Sequence, residues 1–147
     1  EDDGGAAMTT VAPLQEMGII RVFEFSAALR RMSVVGRERE SERMLVMAKG
    51  SPETIKTICR PDSLPADFER QLTRYSQTGY RVIGCAAREL PDGTSWLRVQ
   101  RMPREEAERD LQFLGFLLFE NKLKVETPGV LRSLAAAGIT SVMVTGD

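Results

Sequence analysis

The stretch Met47-Ala48-Lys49-Gly50-Ser51-Pro52-Glu53, MAKGSPE, closes one kind of structure and opens another. The apolar run Met44-Leu45-Val46-Met47 leads into it and predicts a strand. Ser51 is a good helix cap. Pro52 suits a first helical position, where its fixed φ fits and its missing N–H is not needed. Lys49 therefore projects at a strand end, and Gly50 turns the chain beside it with no side chain in the way. A fixed cation beside a glycine is a place where a ligand can come close.

Upstream, Gly18–Phe25 reads as a strand, with Phe23 and Phe25 on one face and Val22 and Glu24 on the other. Ser26–Leu29 interrupts it as a turn, and Arg31–Val35 resumes. The alternating charges of Arg37–Arg43 read as a solvated hairpin loop. With Arg43–Lys49 as a third strand, the three form an antiparallel meander. Residues 1–17 are acidic, then small and polar, and read as a flexible entry.

Downstream, Ser51–Cys59 reads as a short helix with Ile55 and Ile58 or Cys59 facing inward. Pro61–Pro65 is a linker. Ala66–Thr78 is an amphipathic helix carrying Phe68, Leu72 and Tyr75 on one stripe, with Gly79 at its C-terminal cap. Tyr80–Leu90 is a strand, Pro91-Asp92-Gly93 a turn, and Pro103–Asp110 a short charged helix. The residues around Trp96, 94–102, fit neither period. Near residue 110 the pattern changes. Leu111–Glu120 is almost continuously apolar, Thr127 and Pro128 open a helix that Gly138 stops, and Ile139–Val144 is apolar again. Strand, helix and strand with unbroken apolar runs read as a βαβ unit of a parallel sheet. The expected fold class is α/β (α+β): a mainly antiparallel sheet with flanking helices over 18–110, then the start of a doubly wound domain over 111–147.

Composition narrows the function. Net charge is −1 with both signs interspersed, so no basic field suited to nucleic acid is present. There is no histidine, which removes most zinc sites and every Ser-His-Asp or Cys-His arrangement. Cys59 and Cys85 are far apart and lack a CxxC spacing, which suggests reduced thiols. No apolar run approaches the roughly 18 residues of a membrane span. The sequence opens without methionine and stops at Thr145-Gly146-Asp147, and it reads as part of a longer protein.

Four constellations could carry chemistry. Phe25 is followed by Arg30 and Arg31, an aromatic platform with cations nearby; such stacking is worth about 1–3 kcal/mol per base. Equally, Phe25 could be core and the arginines solvated. Lys49-Gly50 could meet a phosphate or ring, or Lys49 could simply reach water along its stem. It is not a Walker A loop, which needs GxxxxGK[ST]. Arg81 opens an otherwise apolar strand and could line a cleft as a bidentate phosphate ligand, or lie in solvent. Thr145-Gly146-Asp147 follows a strand end, where open α/β sheets bind ligands, or is a plain polar transition.

In order, FEFSAALRRMSVV, MAKGSPE, YRVIGCAAREL, FLGFLLFENKLKVETPGVL and VMVTGD resemble the cytoplasmic catalytic part of the P-type ATPases over about residues 18–147. RRMSVV, Ser51 in KGSPE, and Glu120-Asn121-Lys122-Leu123-Lys124 look most like the type V subgroup. Within it they look like the branch associated with polyamine export from late endosomes and lysosomes. The resemblance implies a nucleotide-binding N domain joined to the start of a haloacid-dehalogenase-like P domain. It implies ATP and Mg²⁺ as cofactors, and the rest of the P domain, the actuator and the transmembrane domains of the same protein as partners. Phe25 would stack on adenine, with Arg30 near the nucleotide. Lys49 would line the inner end of the pocket, with Gly50 permitting close approach. Arg81 would reach the phosphates. Thr145, Gly146 and Asp147 match the TGD motif, in which Thr145 would contact the transferring phosphoryl group. The acceptor aspartate of DKTGT and the Mg²⁺-binding DxxND stretch are not in this sequence, so no metal ligand is expected here. The chain alone is expected to bind nucleotide weakly and not to hydrolyse it. A soluble haloacid-dehalogenase-type phosphatase with a large cap and a non-catalytic interaction module are the competing readings.

Overall fold

The computed structural model describes residues 16–144. Five strands form one sheet in sequential order: β1 Met17–Ser26, β2 Arg31–Glu38, β3 Met44–Gly50, β4 Arg81–Glu89 and β5 Gln112–Phe119. Every neighbouring pair is antiparallel. The expected meander of the first three strands is present. The chain is a mixed α/β fold, an antiparallel sheet with flanking helices.

Alternation along the strands gives the sheet two unlike faces. One carries Phe23, Ser33, Val35, Val46, Ala48 and Ala86, all buried. Helices cover it. Helix α1, Pro52–Ile58, starts as its sequence dictates: the Ser51 hydroxyl accepts the Thr54 amide, and Pro52 follows at the first position. Its Ile55 is fully buried and packs over Gly84, where an added Cβ would come 3.1 Å from the isoleucine. Helix α2, Phe68–Gln77, buries Phe68 and Leu72. Phe68 packs edge-on against Phe113, with ring centres 5.2 Å apart, and Tyr75 meets Phe116 at 6.1 Å.

Residues 94–102 resolve into helix α3, Trp96–Arg101, capped by the Ser95 hydroxyl. Its open carbonyls at the far end are met by Arg21, whose guanidinium donates to the carbonyls of Val99, Gln100 and Met102. That contact holds α3 against β1. Helix α4, Arg104–Ala107, follows at once. Val35, Val46, Val99 and Leu111, each fully buried, knit sheet and helices into one core. Each such side chain contributes about 1.5–3 kcal/mol by leaving water.

Two expectations change. Leu111–Glu120 was expected to open a parallel βαβ unit, but β5 pairs antiparallel with β4 and completes the same sheet. Its unbroken apolar run has a different origin from burial on both sides. Phe113 and Phe116 face the helices, while Leu114 and Leu117 are exposed on the strand. Ile139–Val144 does not form a strand. The expected helix is present as α5, Thr127–Ala136, with no buried residue. The two cysteines are free thiols, Cys59 buried and Cys85 half-buried.

Candidate functional site

The second face of the sheet carries no helix, and besides an irregularity between Ile19 and Arg21 its geometry departs from plain alternation at the level of Lys49. There, Lys49 pairs with Met32 on one side and Cys85 on the other. On β1, Phe23 lies opposite Ser33, but Ser26 lies opposite Arg31, so Glu24 and Phe25 together stand where β2 has only Met32. On β5, Phe113 lies opposite Ala86 and Gly115 opposite Cys85, so Leu114 is the extra residue. Both edge strands therefore bulge at the same level, and Lys49 sits between the bulges on the central strand.

A bulge inserts one residue and shifts the next side chains along the strand to the other face. Phe23 is 8% exposed and packs in the core, whereas Phe25 is 62% exposed. This corrects the expectation that the two share a face. Leu114 follows Phe113 onto the open face by plain alternation and is 63% exposed, and the β5 bulge returns Phe116 to the core side. With strands about 4.8 Å apart, Lys49 lies about 10 Å from either edge.

A shallow cavity of about 390 Å³ opens on this face. Met32, Val34, Met47, Lys49, Cys85 and Leu114 line most of it. Three of these carry sulfur, so the walls are soft, polarisable and apolar, and Lys49 is the charged group. Burial pushes the Cys85 thiol up from its ordinary value, with the Lys49 charge opposing.

The other expected residues lie further out. Arg81 opens β4 on the same face as Cys85, four residues away and so about 13 Å along the strand. Arg30 lies in the β1–β2 turn with a φ of 49°. Its carbonyl accepts the Ser51 amide at 2.9 Å, tying this turn to the start of α1. Phe25, Arg30 and Arg81 border the cavity's face without lining the cavity itself. The side-chain position at Gly50 points away from the cavity. A Cβ there would lie 2.5 Å from the Arg30 carbonyl oxygen and 2.6 Å from the Arg31 Cβ, so the glycine is required by the protein's own backbone. Thr145, Gly146 and Asp147 lie outside the described residues.

The adjacent arginines divide. Arg31 faces the core side, where its Nε donates to Glu108 Oε2 at 2.6 Å. The Ser33 hydroxyl donates to Glu108 Oε1 at 2.7 Å, and Arg104 Nε donates to the same oxygen at 2.9 Å. The Glu108 side chain is wholly out of solvent. Burial alone would push its carboxyl up, but the three donors and the Arg31 charge outweigh this and hold it below the ordinary value. By contrast, none of the ion pairs among the described residues uses Arg30, Lys49 or Arg81. Three cations thus remain available around the open face.

A larger groove of about 810 Å³ lies at the opposite end of the sheet, beside Trp96. Its charges are answered internally: Arg37 pairs with Glu42 at 2.7 Å, and Arg39 pairs with Glu16. Sequence reasoning missed Met32, Met47, Cys85 and Leu114 as cavity walls, and Glu108 as the partner of Arg31. Alternation from Lys49 could have found Met47. No local signal could have found Leu114 or Glu108.

Residues 7–126 match the family model for P-type ATPase, cytoplasmic domain N. The chain is 46% identical over 134 residues to Polyamine-transporting ATPase 13A3 of Mus musculus, covering 91% of this chain and 11% of that protein. It is 48% identical over 135 residues to Vacuolar cation-transporting ATPase YPK9 of Saccharomyces cerevisiae, covering 92% of this chain and 9% of that protein. It is 40% identical over 135 residues to Probable cation-transporting ATPase catp-6 of Caenorhabditis elegans, with 90% and 10% covered. The chain thus spans about a tenth of the length of these relatives. The match runs through all five strands, both bulges and the residues of the open face, and the chain belongs to the P-type ATPase cytoplasmic domain N family.

Proposed function

We propose that this chain is the ATP-holding part of a type V P-type ATPase, which positions the nucleotide for transfer of its γ-phosphoryl to an aspartate outside the chain. The observation that carries this reading is the β1 bulge, which turns the exposed Phe25 onto the uncovered sheet face whose cavity holds Lys49 and Leu114. The donor set fits ATP. Phe25 offers an exposed ring for the base, the sulfur-lined cavity takes an apolar edge, and Lys49 supplies a donor to a ring nitrogen. Arg81, displaced along the same face, suits the phosphates as a bidentate cation. Arg30 adds positive potential at the turn.

ATP supplies the transferable phosphoryl group. This chain's residues bind and orient it, which for phosphoryl transfer is most of what a protein must do. Thr145 of the TGD motif would contact the phosphoryl group. The resemblance places the residues that would hold Mg²⁺ beyond this chain. The whole protein would be an ATP-driven membrane transporter, with this chain facing the cytoplasm. The names of the relatives favour polyamines or other cations as cargo, and one of them names a vacuolar membrane; the resemblance of the motifs adds an endosomal or lysosomal one. No helix among the described residues is long and apolar enough to cross a membrane. The soluble phosphatase reading loses its support, because β5 belongs to the antiparallel sheet.

Equilibrium dialysis of ATP against the chain and Lys49→Ala tests the pocket. Millimolar binding, about −4 kcal/mol, is expected for the chain. A several-fold loss is expected on substitution. Equal retention by both proteins would remove Lys49 from the site.

A further inference from the structure

We infer that Arg104, held by Glu108, is a positioning residue for the nucleotide platform, setting the bulge that presents Phe25. The inference rests on the nucleotide reading of the open face, but the contacts that carry it lie on the opposite, core side.

A bulge leaves backbone groups without ladder partners. The carbonyl of Glu24, within the β1 bulge, accepts from Arg104 Nη1 at 3.0 Å. The other fork of the same guanidinium donates to the Arg31 carbonyl at 2.9 Å, on the facing strand just past the turn. One planar cation therefore spans the two sides of the β1–β2 hairpin, at the level where Glu24 and Phe25 oppose Met32. Its remaining donor, Nε, goes to Glu108 Oε1 at 2.9 Å, and Glu108 also holds Arg31 and Ser33 of β2. The two backbone contacts join residues 73 and 80 positions apart. They tie β1 just before Phe25 to the start of β2 across the turn. Three nitrogens held apart in one plane reach these three acceptors, whereas a lysine's donors radiate from a single nitrogen and cannot span them.

The test is a double-mutant cycle on the 147-residue chain, with ADP as the probe. Arg104→Lys alone is expected to weaken ADP binding about three- to tenfold, and to have almost no further effect when Phe25 is already alanine. Arg98→Lys serves as a control. Arg98 pairs with Glu106 at 2.6 Å nearby but does not reach the bulge, so affinity should not change. Equal weakening by Arg104→Lys in both backgrounds, or no weakening, would overturn the inference. Should Arg104→Lys fail to fold, Glu108→Gln, which keeps the side-chain shape, replaces it in the same cycle with the same expectations.

A second measurement needs no ligand. The Arg30 amide donates to the Ser26 carbonyl at 2.7 Å across the turn. Its hydrogen exchange should quicken in Arg104→Lys while the amides of Lys49 on β3 and Cys85 on β4 keep their protection. Unchanged exchange at Arg30 would overturn the positioning role. Faster exchange together with no ADP binding by the unsubstituted chain would sustain the positioning role and count against the nucleotide reading instead.

Discussion

Phe23 and Phe25 are two residues apart on one strand and lie on opposite faces of the sheet. The bulge between them divides their work. Phe23 packs in the core under the Arg21 guanidinium, 4.5 Å from its ring centre. Phe25 stands in solvent. Phe23→Ala should cost about 3 kcal/mol of stability through lost burial and a cavity. Phe25→Ala should change stability by less than about 0.5 kcal/mol. Urea denaturation of the two variants checks the contrast. Equal destabilisation would mean that both rings are core.

Glu108 gives a second prediction, on acid stability. Its folded pKa lies below the ordinary value of 4.5. Between the two values the unfolded chain binds more protons, so stability rises with pH. The contribution is complete above the ordinary value and is lost as pH falls through the folded one. Glu108→Gln should flatten that acid limb. It should also cost about 3 kcal/mol at neutral pH, because Arg31 and Arg104 lose their shared counter-charge. Glu38 is held low by hydrogen bonds from Ser41 and Arg43, and Asp67 by those from Arg70 and Gln71, so some acid sensitivity should persist. Denaturant midpoints measured from neutral pH down to about pH 3 would show the difference. An unaltered limb would refute it.

Gly50 gives a third. An added methyl would meet the Arg30 carbonyl and the Arg31 Cα, which is backbone and cannot swing aside. Gly50→Ala should destabilise by about 1–3 kcal/mol. It should also disturb the bond from the Ser51 amide to the Arg30 carbonyl. Gly84→Ala, with its nearest contacts at 3.1–3.3 Å, should cost less. Thermal unfolding of the pair ranks them, and the reverse order would contradict the packing described.

The cysteines give a fourth. The thiolate is the reactive form. Burial pushes Cys59 up to about 11 and also raises Cys85. Both should alkylate slowly at neutral pH. Cys85, in the cavity wall, should react before Cys59, and saturating ATP should slow it. Mass spectrometry after timed iodoacetamide treatment tracks both sites. Cys59 reacting first, or no slowing at Cys85 by ATP, would count against the cavity.

Local signals revealed much of this fold. The period-two stretches of β1 to β3, the Ser51-Pro52 cap and the Phe68–Leu72 stripe act within a few residues, and each appears where its chemistry places it. The bulges did not show. Alternation puts Phe25 beside Phe23, and only pairing with β2 reveals the extra residue. The pairing of β5 was hidden for a related reason: Leu114 and Leu117 make the run continuously apolar although they are exposed. Arg31 and Glu108 are 77 positions apart, so nothing local distinguishes the ion-paired, half-buried Arg31 from its neighbour Arg30. The strand-end positions of Lys49 and Arg81 mark both as candidates. That they share a face became visible only with the register of β3 and β4.

The central claim is that the open face at Lys49 holds a nucleotide. Met32 and Met47 line the cavity beside it, and their methyl groups are direct reporters, whereas Trp96 stands at the opposite end of the sheet. ATP titration of chain carrying ¹³C-labelled methionine methyls measures the claim most directly. Saturable shifts of Met32 and Met47 are expected at about millimolar ATP, weakened by Phe25→Ala, with Met102 in the core unmoved. No saturable shift at Met32 or Met47, or one indifferent to Phe25→Ala, would contradict it.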